Sequence, residues 1–437
     1  MSVYLSVLIA ICNYYLLNKR ENIGIVVFAI LSIICPRTNL IGMHLSYSYI
    51  FIPFLLVWCI IKKKNVRFKT RYTTPILLCL LWTVIISFVN SITRGYPVNY
   101  LSLIGTYKAI LVCAILSQTR AIKENYLLIF RFIIIANVCV MVIELYLLQT
   151  LGAVGMMQIV EDLWGTTGGD GIRVDEAENF GVFRLFGTFA TSAYPAILSM
   201  IGMTIFWNEL RRTNSNIALV SFLCSILCGL GSCSKRFFLG GVLFIVLNLV
   251  FNMIFKEKSY TKSNSKTISV IVLLWVALPT VFVFLNDYLA LDHYMEFLTN
   301  GDIIASTETR FGDDGIVNSM IPVIMNNFIT GVGDVAIKNV IVTDSMLYVS
   351  MYTSGLIGVF FIVISLLMIY RHIINDNNDI KILYCIILFE FVIGTSFYSD
   401  FGVLLLAICT YNNMIINNNN NNNVNIQRTQ AQSQEKR

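Results

Sequence analysis

Long apolar runs, separated by short polar segments, follow one another along almost the whole chain. At a rise of about 1.5 Å per residue, most would form helices long enough to cross the roughly 30 Å apolar layer of a bilayer. The pattern predicts thirteen spans, at 3–17, 22–38, 46–61, 74–91, 100–117, 126–150, 191–208, 216–231, 237–255, 267–286, 346–370, 381–397 and 401–415. The first, eighth and last are short for an untilted span, so twelve spans remain an alternative.

Two polar segments are too long to be simple connections, and we predict that both are external loops, at about 151–190 and 287–345. Within the second, apolar residues recur at helical spacing between 316 and 328, which indicates an amphipathic helix on the membrane surface. The Asn-rich tail, 416–437, is predicted to be disordered and cytoplasmic. We therefore predict an all-α polytopic membrane protein with one integral domain, 1–415.

Composition agrees with this class. Hydrophobic residues make up 57% of the chain and charged residues 13%, with a mean hydropathy of +0.73. Soluble domains carry about a quarter charged residues, so the composition excludes a soluble protein. The 11 cysteines lie almost entirely in apolar runs and are predicted to pack as small hydrophobic residues, not to form disulfides. Three scattered histidines give no metal-ligand spacing.

Most of the 31 lysines and arginines fall in alternate connections, such as 62–71 and 256–266. Because basic residues collect on the cytoplasmic side, these connections are predicted to be cytoplasmic and the two long loops external. Thirteen spans then place the N-terminus outside, whereas twelve would place it in the cytoplasm.

The first long loop combines glycines with isolated arginines. Arg173 follows a glycine-rich run, and the loop ends in Arg184-Leu-Phe-Gly-Thr-Phe. Arginine can bind phosphate or carboxylate through two parallel hydrogen bonds, so this loop is a candidate anion site. The alternative is that these arginines pair with the loop's own acidic residues, Asp175, Glu176 or Glu178.

Ser234-Lys235-Arg236 joins two apolar runs on the predicted external side, against the positive-inside bias. Two adjacent cations there are explained if an anion such as a pyrophosphate binds them. The alternative is that both side chains extend to lipid phosphates.

The second long loop carries Arg310 near its centre and ends in Asp344-Ser345. Asp344 is a candidate general base for a sugar hydroxyl. It is also a candidate N-cap of a helix beginning at Ser345, and capping would not exclude catalysis.

Glu144 and Glu390 fall inside apolar runs and are functional candidates unless they lie near a span end in contact with water. Tyr348, near the outer rim, suits stacking on a sugar, although interfacial tyrosines commonly mark the membrane boundary. The candidate catalytic residues are thus Asp344 and Arg310. The candidate substrate-binding residues are Arg173, Arg184, Lys235, Arg236, Ser345 and Tyr348.

In order and placement these features resemble the O-antigen polymerase (Wzy) family, within the O-antigen polymerase and ligase superfamily. The resemblance covers nearly the whole chain and rests on about a dozen spans, the pair of external loops and a series of short motifs. Those motifs are Arg184-Leu-Phe-Gly-Thr-Phe, Ser234-Lys-Arg, Arg310, Pro322, Gly331-Val-Gly, Asp344-Ser345 and Gly355-Leu-Ile-Gly358.

Ligase members of that superfamily carry a histidine, then Asn or Ser, nine residues and Gly-x-x-Gly at this place. Here Asp344 stands in the position of the histidine, followed by Ser345, nine residues and Gly355-Leu-Ile-Gly358. The difference favours a polymerase over a ligase. It leaves the identity of the general base open, because Asp344 could instead position the acceptor sugar.

The resemblance implies a GT-C-like, metal-independent glycosyltransferase without a cofactor, in the bacterial inner membrane and with its active site facing the periplasm. It would transfer a growing glycan from undecaprenyl pyrophosphate to a new lipid-linked repeat unit. Its partners would be undecaprenyl-pyrophosphate-linked oligosaccharides and the lipid bilayer, with a chain-length regulator as a further candidate and no nucleic acid.

A flippase or exporter of lipid-linked glycans is the main alternative function. Such a protein is expected to have short loops, polar residues lining its spans and an internal repeat. A ligase or a Gram-positive capsule polymerase would share the chemistry. A structural or receptor-like membrane protein would leave Lys235 and Arg236 unexplained.

Overall fold

Helices make up most of the described part of the chain in the computed structural model. The described residues are 1–40, 43–62, 73–165, 184–189, 191, 193–232, 234, single positions from 237 to 250, 316–337, 345–374, 376–394 and 399–411. Their helices are α1 Val3–Lys19, α2 Glu21–Ile34, α3 Tyr47–Ile61, α4 Thr73–Arg94, α5 Tyr100–Leu116, α6 Arg120–Glu124, α7 Tyr126–Trp164, α8 Ala193–Thr213, α9 Asn216–Gly231, α10 Ile316–Asn326, α11 Met346–Ile373, α12 Asn378–Ile393 and α13 Asp400–Thr410.

Three of the described helices are long and apolar enough to cross a membrane: Thr74–Arg94, Tyr126–Trp164 and Met346–Ile373. Shorter apolar helices occupy other positions where the sequence predicts spans. Eleven of the thirteen predicted spans coincide with helices in the described residues, which confirms the mostly helical prediction. The predicted span 267–286, and most of 237–255, lie outside the described residues.

The second predicted span is shorter than expected. The sequence predicts that it reaches residue 38, but α2 ends at Ile34, since Pro36 disfavours helical geometry in the residue before it. Two short antiparallel strands follow, β1 Thr38–Leu40 and β2 Met43–Leu45, with Asn39 opposite His44. The fold is therefore not purely α, and this hairpin lies beside the site described below.

The first long loop begins with helix, which differs from the sequence prediction. Gly152, with φ of 71°, interrupts α7, and a further helical segment runs on to Trp164. Its residues Met156, Met157 and Trp164 are buried. The predicted boundary at 151 is thus a kink and not the start of a loop. Residues 166–183 are outside the described part.

A helix is present where the sequence predicts one within the second long loop, as α10, Ile316–Asn326, and its position on the membrane surface stays a prediction. Its Met320 and Ile324 are buried in a small cluster with Val332, Val335 and Tyr352. This apolar face packs against protein, on α11 and the loop that precedes it. The rest of that predicted loop, 287–315 and 338–344, lies outside the described residues.

The helices pack inward through aromatic and branched side chains and leave other apolar side chains outside. Phe28 of α2 stacks on Phe51 of α3 at 4.9 Å between ring centroids, and Tyr47 stacks on Phe51 at 5.6 Å. On the outer surface, large residues such as Ile60 and Val142 are exposed. Exposed apolar faces of this extent are typical of helices that lipid covers.

Alternate connections meet at the same end of the bundle. At one end, which we name the Arg37 end, the backbone N–H of Arg37 donates to the carbonyl of Leu163 at 2.7 Å, and Val98 pairs with Val335. The amino group of Met1 donates to the carbonyl of Arg37 at 2.8 Å, so the N-terminus lies at this end, as in the thirteen-span arrangement.

The opposite end, the Asp379 end, is held by ion pairs. Lys123 pairs with Asp376 at 2.8 Å, and Arg212 pairs with the buried Asp379. The hydroxyl of Tyr126 also donates to Asp379, at 2.8 Å. The sequence assigns these connections to the cytoplasm and those of the Arg37 end to the outside, so each contact joins segments predicted to share a side.

Candidate functional site

A loop with two left-handed glycines fits into a break in α11. We name residues 327–337 the docking loop. Gly355, with φ of 63°, interrupts α11, and Gly331, with φ of 71°, lies directly against it. A Cβ on Gly331 would be 2.6 Å from the backbone nitrogen of Gly355, and one on Gly333 would be 2.4 Å from the Cα of Ser87. The motif glycines are therefore required both by backbone conformation and by close approach.

Backbone hydrogen bonds satisfy the groups that this break exposes. The N–H of Val332 donates to the carbonyl of Tyr352 at 2.8 Å, and the N–H of Leu356 donates to the carbonyl of Phe328 at 2.9 Å. A non-helical segment within an apolar helix is tolerated when protein groups satisfy its backbone in this way. The docking loop thus stabilises a discontinuous α11.

A cavity of about 390 Å³ lies beside the docking loop, between α4, α5 and the first half of α11. We name it the hydroxyl cavity, because its polar lining is Thr83, Asn99, Ser102, Thr106, Asp334, Ser350, Tyr352, Thr353 and Ser354. Burial raises the pKa of the Asp334 carboxyl group, and a hydrogen bond with the Ser102 side chain opposes that rise.

A second cavity, of about 280 Å³, lies at the Arg37 end between the hairpin, α3, α5, the last turn of α7 and α13. We name it the cationic cavity. Its charged and aromatic lining includes Arg37, His44, Tyr49, Lys108, Trp164, Tyr194 and Asp400. The positive charges of Arg37 and Lys108 outnumber the single negative charge of Asp400 in this lining, so the cavity is suited to an anion.

Lys108 is positioned by a compact polar network. Its Nζ lies 3.0 Å from the Asp400 carboxylate and 3.0 Å from the hydroxyl of Ser48, which itself donates to Asp400 at 2.7 Å. The ammonium group also lies 4.1 Å from the centroid of the Tyr49 ring. The lysine is only 9% exposed, so this network compensates for the burial of its ammonium group in an apolar helix.

Arg37 is less fully paired than Lys108. Its Nη1 donates to the carbonyl of Gly165 at 3.1 Å, and no carboxylate lies within ion-pair distance of it among the described residues. Burial lowers the pKa of its guanidinium, an effect that the nearby Asp400 charge opposes. Because an arginine remains charged at neutral pH, Arg37 retains hydrogen-bonding capacity for an anion in the cavity.

An apolar groove of about 500 Å³ adjoins the cationic cavity. Its lining is Tyr49, Ile52, Pro53, Leu77, Ile104, Tyr107, Lys108, Ile110 and Leu111. Ile104 and Tyr107 are exposed on the outer surface of α5. Tyr49 and Lys108 line both the groove and the cationic cavity. The two features together match a ligand with an apolar tail and an anionic head.

The Arg184-Leu-Phe-Gly-Thr-Phe motif is anchored by side chains of α7. Glu144 accepts hydrogen bonds from the N–H groups of Phe186 at 2.8 Å and Gly187 at 2.9 Å, and Asn137 accepts one from Thr188 at 2.8 Å. These bonds bring Thr188 and Phe189 to the wall of the cationic cavity. Glu144 is 2% exposed, so it is not a solvated residue at a span end, and its described contacts are structural.

Three of the predicted substrate-binding residues lie in the described part of the chain. Arg184 is half-buried at the start of its motif, and the hydroxyl of Ser345 donates to the carbonyl of Val392 at 2.5 Å. Tyr348 packs against the apolar cluster of the docking loop. These three are not among the described residues that line either cavity. The other candidates lie outside the described residues and stay predictions: Arg173, Lys235, Arg236, Arg310 and Asp344.

The alternative role of Asp344 as an N-cap is wrong by one residue. Helix α11 begins at Met346, and its N-cap is Ser345. The Ser345 side chain makes no capping bond because it is bonded to α12 instead. The candidate role of Asp344 as a base is unaffected by this correction.

The sequence interpretation did not select the residues of the cationic cavity. Lys108 could have been found as a charge within an apolar run, and Arg37 as a cation on the side where cations are scarce. Asp400 carries no local signal, since its pairing with Lys108 joins residues 292 positions apart.

No family model and no curated protein matches this chain. The functional conclusion therefore depends on the residues of the site and their geometry.

Proposed function

We propose that the chain is a membrane glycosyltransferase that polymerises undecaprenyl-pyrophosphate-linked oligosaccharide repeat units into O-antigen, a surface polysaccharide, at the periplasmic face of the inner membrane. The observation that carries the proposal is that the cationic cavity and the apolar groove meet at Lys108 and Tyr49. A lipid-linked pyrophosphate has the matching parts, a polyprenyl tail and an anionic head group.

The proposed reaction explains why cations are needed. The oxygen of an acceptor hydroxyl bonds to the anomeric carbon of the donor sugar, while the bond from that carbon to the phosphate oxygen breaks. The hydroxyl proton passes to a base, for which Asp344 remains the candidate, and negative charge grows on the departing pyrophosphate. Arg37 and Lys108 would stabilise that charge through charge-assisted hydrogen bonds.

The other cations of the predicted external loops fit the same scheme. Arg184 begins the motif whose later residues reach the cationic cavity. In the proposal, Arg184, the Lys235 and Arg236 pair, and Arg310 bind the remaining phosphate oxygens. Aromatic side chains of the cavity, among them Trp164 and Tyr194, would contact the first donor sugar.

A flippase of lipid-linked glycans is the second candidate, because α11 is discontinuous. Broken helices commonly form the substrate site of transporters. Here, however, the break at Gly355 is filled by the docking loop, whose backbone bonds to both halves of α11. That arrangement favours a fixed site over a helix that must move.

The test uses a deletion strain complemented with variants, and the banding of its surface polysaccharide. Wild-type protein should restore a long ladder. Arg37→Gln should shorten or abolish it, because losing one charge-assisted contact weakens binding by roughly ten- to a hundredfold. Arg94→Gln is the matched control, since Arg94 lies at the same end but bonds to Asn327 outside the cationic cavity.

The deletion strain also separates the candidate functions. A lipid core bearing one repeat unit is the expected outcome for a polymerase. A core with no repeat unit would instead identify a flippase or ligase. A normal ladder from Arg37→Gln, at equal membrane abundance, would remove the cationic cavity from the site.

A further inference from the structure

We propose that the hydroxyl cavity binds a sugar residue of the acceptor repeat unit, and that Asp334 and Ser350 hydrogen-bond to its hydroxyl groups. The inference rests on the proposed function and gives it a second subsite, separate from the cationic cavity. It assigns the ligand by chemical class, as a neutral sugar ring.

The lining of the cavity defines that class. Hydroxyl and amide side chains alternate with apolar walls formed by Leu80, Leu103 and Ile362. Among the described lining residues Asp334 is the sole charged group, so nothing there would neutralise an anionic ligand. A volume of about 390 Å³ lies at the small end of the range for small-molecule sites, which favours one sugar ring over a whole repeat unit.

Ser350 supplies an independent observation. Its side chain is 2% exposed, and its Oγ has no hydrogen-bond partner among the described residues. A buried hydroxyl without a partner is costly, so a partner is expected to come from within the cavity that this residue lines. A sugar hydroxyl can both donate to and accept from it.

Asp334 is held by its backbone, which leaves its carboxylate available. Its N–H donates to the hydroxyl of Ser87 at 2.7 Å, and its carbonyl accepts from the N–H of Asn99 at 2.9 Å. Ser102 bonds to the carboxylate, and no described cation pairs with it. A carboxylate fixed in this way can accept hydrogen bonds from two neighbouring hydroxyl groups of a sugar.

The position of the cavity suits an acceptor. Ser102 lines the hydroxyl cavity and Lys108 lines the cationic cavity, and both belong to α5. They are six positions apart in the helix, a distance of about 9 Å along the axis. A donor head group in one cavity and an acceptor sugar in the other would thus be separated by the length of a short sugar chain.

The experiment uses purified full-length protein in lipid nanodiscs, with lipid-linked repeat units extracted from the deletion strain as substrate. Asp334→Asn should raise the KM for repeat units by roughly tenfold or more, because the amide keeps the shape but loses the charged acceptor. Asp162→Asn is the matched control, since it removes an exposed carboxylate at the same end but outside both cavities.

Ser350→Ala is a second variant, chosen because it is not expected to impair folding. Removing an unpaired buried hydroxyl should leave the thermal midpoint unchanged or higher, yet the KM should rise several-fold if a sugar hydroxyl binds there. If wild-type protein polymerises the extract and both cavity variants keep its KM, the acceptor subsite is refuted and the proposed function stands. If wild-type protein forms no polymer from the extract, the proposed function fails and the subsite with it.

Discussion

Glu144 and Asp400 are two carboxylates at the Arg37 end with different kinds of partner. Glu144 accepts two backbone N–H groups from Phe186 and Gly187, whereas Asp400 accepts from the side chains of Lys108 and Ser48. The first bonds fix the path of a loop. The bonds to Asp400 hold the ammonium group of Lys108 at the edge of the cationic cavity. Asp400 would therefore affect ligand binding through Lys108.

Substitutions at Glu144 test whether its two hydrogen bonds hold the Arg184-Leu-Phe-Gly-Thr-Phe motif in place. Glu144→Ala leaves two buried N–H groups without an acceptor, at a cost of about 1–3 kcal/mol for each group. Glu144→Gln keeps an acceptor oxygen and should lose much less. Thermal unfolding of the detergent-solubilised protein measures the difference. An alanine variant as stable as the glutamine variant would show that the described bonds do not hold the motif.

Single residues were predictable from the sequence only as charges in unusual places. Lys108 and Glu144 both stand out as ionisable groups in apolar runs, but their partners come from segments far along the chain. No local sequence pattern indicates that Lys108 lines a cavity whereas Glu144 holds a loop in place. Ser345 shows the same limit, because its hydroxyl is bonded to α12 and not to its own helix.

At the level of elements, the docking loop and α11 form one unit. Gly331 and Gly355 are in contact, and each has a backbone conformation that side chains other than glycine rarely adopt. The loop also carries Asp334 to the hydroxyl cavity. Its geometry therefore sets the position of the proposed acceptor subsite.

A pair of glycine substitutions can isolate this contact. Gly331 and Gly95 have nearly the same φ, 71° and 70°, so alanine causes similar backbone strain of about 1 kcal/mol at both. A Cβ on Gly95 would meet nothing within 4 Å, whereas one on Gly331 would press on the backbone of α11. Gly331→Ala should therefore lower the thermal midpoint clearly more than Gly95→Ala. Equal effects would mean that the loop is not closely packed.

Most of the helices were predictable from the sequence, because the spacing of apolar residues and the length of apolar runs identify helices well. The breaks within α7 and α11 could not be predicted, because Gly152 and Gly355 interrupt runs whose apolar character continues on both sides. The hairpin at 38–45 was also missed, because its few residues look like the end of a span. The docking of one loop into a helix break depends on contacts that a local pattern does not contain.

Across the whole molecule, the two ends differ in how their charges are used. At the Asp379 end, several described cations pair with carboxylates, as Lys123 does with Asp376 and Arg131 does with Glu209 at 2.7 Å. At the Arg37 end, Lys108 pairs with Asp400 at 3.0 Å, whereas Arg37 has no carboxylate partner among the described residues and faces a cavity. The ion pairs of the Asp379 end thus stabilise the fold, whereas the Arg37 guanidinium at the other end can bind an anionic ligand.

The two ends of the bundle are predicted to lie on opposite sides of the membrane. The lysine and arginine bias predicts that the Arg37 end is external and the Asp379 end cytoplasmic. Asp162 and Thr213 are exposed residues near these respective ends. Asp162→Cys should react with a membrane-impermeant thiol reagent in cells whose outer membrane is permeabilised. Thr213→Cys should react only after the inner membrane is lysed.

Labelling of the wild-type protein gives the background from its 11 native cysteines. The reverse pattern, with Thr213→Cys labelled first, would turn the cationic cavity, the apolar groove and the hydroxyl cavity towards the cytoplasm. Polymerisation at the periplasmic face would then be impossible from these sites, even if each cavity bound its ligand. The orientation is thus the one property of the whole molecule on which the proposed function and the acceptor subsite both depend.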